Sequence, residues 1–280
     1  MAEVEFESPE ELVHDNASGL GLEAAKVLAG SPVATQSALL GDLTDKVALI
    51  TGGASGLGLA AAKLFIANGA QVVIADYSPK VLDVAKEIGA TGVRANVAKE
   101  EDVQAAVKLA VDTYGKLDIC VASAGIGGDN NPVATETLEN WNKVNGVDFT
   151  GVMITDKWAI KQMLKQGTGG AIVNLASMFG LVAVPNNVAY SASKGGVVQM
   201  TRAAGTMYAP EGIRVNAVCP GVIKTPLIDE ENRKLYSELH PMKRLGEAEE
   251  VAKLINFLVS DDAQFITGAA IAIDGGYTAV

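Results

Sequence analysis

The sequence predicts an α/β chain, a doubly wound parallel sheet of about seven strands with helices on both faces, and three observations predict it. Short apolar runs alternate with longer segments of helical period from about residue 44 to the end. The runs are apolar on both faces, as strands are when helices cover both sides of a sheet. Of the 280 residues 49% are hydrophobic and 20% charged, which suits a large globular core and excludes a disordered or collagen-like chain.

Each element follows from its own segment. The first run, 47–50, leads into a helical stretch at 57–68; the second, 72–75, into 79–88; the third, 92–95, into 100–114. A fourth run at 117–122 precedes a helix at 147–166, and a fifth at 171–176 precedes one at 188–209. The sixth run, 214–218, is followed by a helix at 247–260 and the seventh run, 269–273. Strand, helix and strand in repetition give parallel strands joined by right-handed crossovers. In such sheets ligands bind beyond the carboxyl ends of the strands, so the loops after Ile50, Ala75, Ala122, Ala176 and Val218 are expected to form the site.

The chain reads as one domain, 44–280, preceded by an acidic, partly helical extension, 1–43. That extension holds eight acids against Lys26 alone, a net charge of −7 within a total of −11. It also contains Ala17-Ser-Gly-Leu-Gly-Leu-Glu-Ala-Ala-Lys26, which matches Ala54–Lys63 at nine of ten positions. The residues before Ala17 supply neither an apolar strand nor a Thr-Gly-Gly turn, so the copy lacks the scaffold a phosphate needs. It is read as a short structural helix, with a vestigial duplication or a subunit-contacting arm as alternatives.

The acidic balance and a pI near 4.7 argue against a surface that attracts nucleic-acid phosphates or anionic lipids. The first residues are acidic where a secretory signal is basic, and no apolar run approaches the ~20 residues that span a bilayer. These features predict a cytoplasmic protein with no membrane or nucleic-acid partner. Cys120 and Cys219 fall in apolar surroundings and read as reduced core thiols, and with only His14 and His240 beside them no metal site is expected.

Two constellations carry chemistry. Thr51-Gly-Gly-Ala-Ser-Gly-Leu-Gly58 lies between a strand and a helix, where glycines admit a pyrophosphate to the backbone and the helix terminus offers free N–H groups. Asp76 ends the second strand, where a carboxylate accepts from the adenosine ribose hydroxyls and repels a 2′-phosphate, so NAD is expected rather than NADP. Lys80, four residues on, softens that repulsion. The second constellation is Tyr190-Ser-Ala-Ser-Lys194 with Ser177 thirteen residues earlier. Tyr190 and Lys194 share a helix face, and a neighbouring ammonium makes a phenol a better base. A Tyr-x-x-x-Lys pair arises by chance about 0.4 times in a chain of this composition, so the weight rests on its order after the glycine loop and Ser177.

Across nearly all of residues 45–280 the chain resembles the short-chain dehydrogenase/reductase family. The matching positions are Thr-Gly-x-x-x-Gly-x-Gly at 51–58, Asp76, Ala124-Gly125, Ser177, Tyr190, Lys194, Pro220-Gly221, Thr225-Pro226 and Asp274-Gly-Gly276. The resemblance implies a Rossmann-like fold and hydride exchange between a nicotinamide cofactor and a secondary alcohol or ketone. Tyr190 would then act as acid/base, Ser177 would bond the reacting oxygen, and Lys194 would hold the nicotinamide ribose. Cofactor contacts would come from Gly52, Ser55, Gly56, Leu57, Gly58, Asp76, Tyr77, Asn96, Val97, Ala124, Gly125, Tyr190, Lys194, Pro220, Gly221, Ile223 and Thr225. Family members are commonly tetramers built on the helices at 147–166 and 188–209, so a homotetramer is expected.

Three positions depart from the family pattern. Asp148 stands where an Asn usually holds a water that links the lysine to solvent; a carboxylate can accept from that water and pair with Lys194, but it cannot donate. Ser123 replaces an Asn that holds the sheet, and Asn96 replaces an Asp beside adenine while keeping an acceptor. The substrate is expected under a segment running from Leu227 to Met242 that includes Ile228, Leu235, Tyr236 and Leu239, against Met178, Phe179, Leu181 and Val184. Half of the apolar residues in that segment have an ordinary core role as their alternative. An apolar wall suits a hydroxysteroid, a bile acid or a cyclic alcohol. The alternatives are an enzyme like 3-oxoacyl-carrier-protein reductase, disfavoured by Asp76 and the net charge, and a non-catalytic NAD-binding regulator, disfavoured by the retained Ser177, Tyr190 and Lys194.

Overall fold

The computed structural model describes residues 40–225, 228 and 230–280. The acidic extension with its repeat at 17–26, and Pro226 and Leu227 in the substrate segment, lie outside the described residues. Seven strands, β1 (Val47–Thr51), β2 (Gln71–Asp76), β3 (Thr91–Arg94), β4 (Ile119–Ala122), β5 (Gly170–Leu175), β6 (Ile213–Pro220) and β7 (Ala270–Ile273), form one sheet in the order β3-β2-β1-β4-β5-β6-β7. Every pairing is parallel. The order reverses between β1 and β4, and a crevice opens at such a reversal beyond the strand ends.

Strand alternation sorts the core into two layers. Ala48 and Ile50 of β1, with Val121 of β4 and Val173 of β5, pack against α1 (Gly56–Ala67), α2 (Val81–Ile88) and α8 (Ala248–Val259), centred on the buried Phe65, Val81 and Ile255. Val47 and Leu49, with Cys120 and Ile172, pack against α3 (Glu100–Tyr114) and α5 (Gly151–Gln166) through Val107, Ala110, Ala159 and Met163. Each large apolar side chain sealed this way contributes roughly 1.5–3 kcal/mol. Two-sided packing therefore explains why the strand sequences are continuously apolar. Leu43 is buried in the first layer and Gly41 is bonded to Asp262 and Asn256, so the packed unit reaches a few residues before Thr44.

Helix ends are specified locally. The acidic first turn of α3, Glu100 to Asp102, faces the positive end of its helix dipole, and Gly115 stops the helix with a φ of 86°. Two helices escape the apolar-period reading. α4 (Leu138–Asn145) is polar in sequence and starts on the Thr137 hydroxyl, which accepts from the Asn140 N–H. α7 (Arg233–Leu239) is a short surface helix. The segment expected to begin at 147 is instead continuous with α4: a π turn at Gly146–Thr150 joins α4 to α5, with the Gly151 N–H donating to the Gly146 carbonyl, one residue beyond the α spacing. The long α6 (Val188–Met207) crosses beside it. Among the described residues no helix is long and apolar enough to cross a membrane.

Candidate active site

The loops beyond β1, β4, β5 and β6 meet at one end of the sheet. At β1 the chain turns through Gly52, whose φ is 67° and where a Cβ would sit 2.7 Å from the Ala124 backbone nitrogen. A Cβ on Gly58 would lie 2.3 Å from the Gly52 carbonyl oxygen, so the turn closes only with glycine at both positions. Ser55 precedes α1 without capping it, and the first turn of α1 contains no acidic residue. The free N–H groups of that turn are thus available to a phosphate. On this geometry Gly52, Ser55, Gly56, Leu57 and Gly58 fit the pyrophosphate of a dinucleotide. Gly56 faces Thr225 from the loop after β6, at 3.7 Å from the threonine methyl for a Cβ built there.

Asp76 ends β2 with its two carboxylate oxygens accepting from the Ala54 and Ser78 N–H groups, which orients it beside the glycine turn with lone pairs left for a ribose. Tyr77 is 67% exposed, and the Arg94 guanidinium lies 5.5 Å over its ring and donates to its carbonyl. Asn96 is held by Asp102 through its N–H, and its side-chain oxygen accepts from the Ala98 N–H while a second lone pair stays free. Val97 is buried against Ile154. Ile223 is also buried in the layer shared with α1 and α8, so only its backbone can face a ligand.

Ser177 follows β5, and its hydroxyl accepts from the Phe179 N–H at 3.1 Å. On α6, Lys194 reaches back under it. Its ammonium donates to the Leu175 carbonyl at 3.0 Å, lies 5.5 Å from the Tyr190 ring centre and stands 3.2 Å from Asp148 Oδ2. Asp148 sits inside the π turn, wholly buried, and its Oδ1 accepts from the Ile126 N–H at 2.8 Å. Gly125 passes beside this pair, so a Cβ there would lie 3.3 Å from Asp148 Oδ2 and 3.5 Å from the ammonium. Burial disfavours the ammonium, but the charge of Asp148 and the proximity of Tyr190 outweigh it and hold Lys194 above the ordinary lysine range. Burial pushes the Asp148 carboxyl up, opposed by Lys194 and the Ile126 N–H. The pair has close charges but poor hydrogen-bond alignment, for Oδ2 lacks a hydrogen-bond partner among the described residues.

The substrate wall differs from expectation at two points. Met178 is 1% exposed and packs into the interior, which corrects its placement as a wall residue, whereas Phe179, Leu181 and Val184 are half-buried. Tyr277 near the carboxyl terminus makes an edge contact with Phe179 at 6.1 Å, which no local sequence signal marks. In the segment above, Ile228 and Tyr236 are half-buried and Leu235, Leu239 and Met242 exposed, so none of the described apolar residues there is a core residue. Tyr236 also fixes the segment to the Pro220-Gly221 turn, because its carbonyl bonds His240 Nδ1 while His240 Nε2 accepts from the Val222 N–H.

A glycine cradle at a strand-to-helix turn, followed by a buried lysine beneath a tyrosine, defines a dinucleotide-dependent α/β oxidoreductase. The chain belongs to the short-chain dehydrogenase/reductase family: a family model described as enoyl-(acyl carrier protein) reductase matches residues 52–278. It is 43% identical over 240 residues to a cyclohexanol dehydrogenase of Acinetobacter sp. (strain SE19), covering 84% of this chain and 95% of that protein. It is also 43% identical over 244 residues to a cis-4-hydroxycyclohexanecarboxylate dehydrogenase of Sinomonas cyclohexanicum, covering 84% and 98%. Among solved structures, levodione reductase superposes with a TM-score of 0.81 at 37% identity, covering 85% of this chain and 99% of that one. A 3-ketoacyl-(acyl-carrier-protein) reductase from Brucella melitensis, complexed with NADH, gives 0.81 at 38%, covering 85% and 100%. The chain is a short-chain alcohol dehydrogenase or ketoreductase that uses a nicotinamide cofactor.

Proposed function

We propose that this enzyme prefers NAD and interconverts a bulky apolar secondary alcohol, above all a cyclic one, with its ketone. The observation that carries the reading is the convergence of Ser177, Tyr190 and the Lys194–Asp148 pair beside the Gly52–Gly58 cradle. In this reading the Tyr190 hydroxyl gives a proton to the carbonyl oxygen in reduction and takes it from the alcohol in oxidation. Ser177 accepts from Phe179, which leaves its own proton for the same substrate oxygen. Lys194 places a positive charge under the phenol and a donor toward the nicotinamide ribose. Ala124, Gly125, Pro220, Gly221, the Ile223 backbone and Thr225 would hold the nicotinamide half, and Tyr77, Asn96 and Val97 the adenine. The nicotinamide, when bound, accepts or returns the hydride.

Preference for NAD rests on Asp76, whose carboxylate is fixed by two N–H groups, while Arg94 is engaged with Tyr77. Preference for a cyclic alcohol rests on the apolar wall of Phe179, Leu181 and Val184, with Tyr236 above it, and on relatives named for six-membered-ring substrates; a hydroxysteroid or bile acid extends the same chemistry. The test follows reduced-nicotinamide absorbance with NAD and NADP presented separately to cyclic, steroid, bile-acid and short-chain alcohols. Turnover of cyclic alcohols with NAD is expected, and turnover confined to NADP or to short-chain alcohols would overturn the respective part. Silence throughout, with NADH still bound, would favour a non-catalytic regulator.

The exposed Met153 and Leu164 of α5 and Met207 of α6 support a homotetramer formed on these helices. Sedimentation at micromolar concentration is expected to give a species of four chains, and a monomer would refute the assignment. The buried free thiols Cys120 and Cys219 support a reducing, cytoplasmic setting.

A further inference from the structure

We propose that Asp148 is a positioning residue that sets the pH range of the enzyme by cancelling the charge of Lys194 beneath Tyr190. The inference rests on the acid/base role proposed for Tyr190, and it goes further in assigning the carboxylate an electrostatic duty toward that role. Three observations carry it. The Asp148 and Lys194 side chains are 0% and 5% exposed and 3.2 Å apart, so water screens neither. Asp148 is fixed from the other side by the Ile126 N–H, and Lys194 by the Leu175 carbonyl, so the two charges stay paired. The carboxylate lies in the π turn, whose extra residue carries position 148 toward Gly125 and the ammonium.

The electrostatic consequence follows from sign and distance. A lone buried ammonium near the phenol favours the phenolate and brings acid/base function to lower pH. A carboxylate in contact with that ammonium contributes with the opposite sign at a similar range, so Tyr190 faces a dipole where an uncharged residue at 148 would leave it a full positive charge. Among the described residues Cys219 of β6 is a further ionisable group acting on the pair, and burial pushes its thiol up to about 11, which keeps it neutral in the working range. Asp274, beyond Cys219, is held below the ordinary carboxylate range, where the N–H groups of Thr278 and Gly276 and the Thr278 hydroxyl outweigh its partial burial. It is therefore a constant charge across the working range.

The test is the pH profile of kcat/KM for alcohol oxidation in the wild type, Asp148→Asn and Asp148→Ser. Asparagine keeps the acceptor for Ile126 but sets a neutral NH2 group where Oδ2 faced the ammonium, whereas serine leaves neither charge nor amide there, so a shift shared by both variants reports the lost charge. The acid limb is expected to move to lower pH by about one unit in both variants, so that below the wild-type limb they are about tenfold faster relative to their own plateaus. A limb that stays in place or moves upward overturns the proposal, including where the plateau itself falls, since a purely structural or water-holding role lowers the rate without moving the limb. A readout independent of turnover is the phenolate absorbance lost on adding Tyr190→Phe, titrated in the wild-type and Asp148→Asn backgrounds. It is expected to move in the same direction, and coincident titrations overturn the proposal. The reading of Tyr190 fails separately: a fully active Tyr190→Phe enzyme would remove that role whatever the Asp148 variants do.

Discussion

Replacing Tyr190 with phenylalanine is expected to lower kcat for alcohol oxidation by about a thousandfold, within the range for removing a positioned acid/base, while the Kd for NADH stays within a few-fold. The argument is local. The substitution keeps the ring and removes one oxygen, and Lys194 is anchored by the Leu175 carbonyl and Asp148 and not by that oxygen. The glycine cradle lies on other elements and is untouched. Binding and chemistry therefore separate, with the fall in kcat and the cofactor affinity read from steady-state kinetics and NADH fluorescence titration. A variant with undiminished turnover would refute the acid/base role, and a variant that lost NADH binding would show that the hydroxyl supports the cofactor.

The second large effect lies in the core. Asp156 of α5 is buried against Asn174 of β5 and Thr201 of α6, and its Oδ2 accepts from Asn174 Nδ2 at 2.8 Å. The same Nδ2 also donates to Thr201 Oγ1 at 3.1 Å. Asp156 Oδ1 and Asn174 Oδ1 have no partner among the described residues. A proton on the carboxyl turns one unpartnered buried acceptor into a donor, and burial, opposed by the Asn174 hydrogen bond, raises Asp156 to about 7. Because the folded value lies above the unfolded one, the folded chain binds this proton more tightly. Its contribution to stability is complete below about pH 4 and is lost as pH rises to about 7, about 4 kcal/mol in all. Asp156→Asn supplies a neutral donor at the same place, so its thermal midpoint is expected to fall less than that of the wild type across this interval. Parallel curves for the two proteins would mean that Asp156 is ionised throughout.

Much of this was legible in the chain because local rules agreed with one another. Seven apolar runs fell on the seven strands, the glycine loop came at the β1–α1 turn, Ser177 just past β5, and Tyr190 and Lys194 within the first two turns of α6. Even the pairing of Asp148 with Lys194 was accessible from residue type and order. What escaped depends on contacts between distant segments. Leu138–Asn145 buries too few apolar groups to show a stripe, and only the Thr137 cap marks its start. Asp156 looks like the solvent side of a helix until α5, β5 and α6 cross around it. Met178 follows the serine like a pocket residue but turns inward, and Tyr277, about a hundred residues later, packs edge-on against Phe179.

The π turn between α4 and α5 makes the count of residues in this helix as consequential as their identities. One surplus residue shifts everything after Gly151 by about 100° around the axis relative to what precedes Asn145. Asn140 and Val144 upstream thereby pack against the loop at Gly128 and Asp129 while Ala159 and Met163 downstream stay in the core, two duties that a single uniform stripe would not meet. Drift by deletion is consequently a harsher experiment here than drift by substitution. Loss of any one residue between 146 and 150 would let the ladder close as an ordinary helix, turn the carboxylate at 148 away from its lysine, or force the buried face of α5 out of register with the sheet.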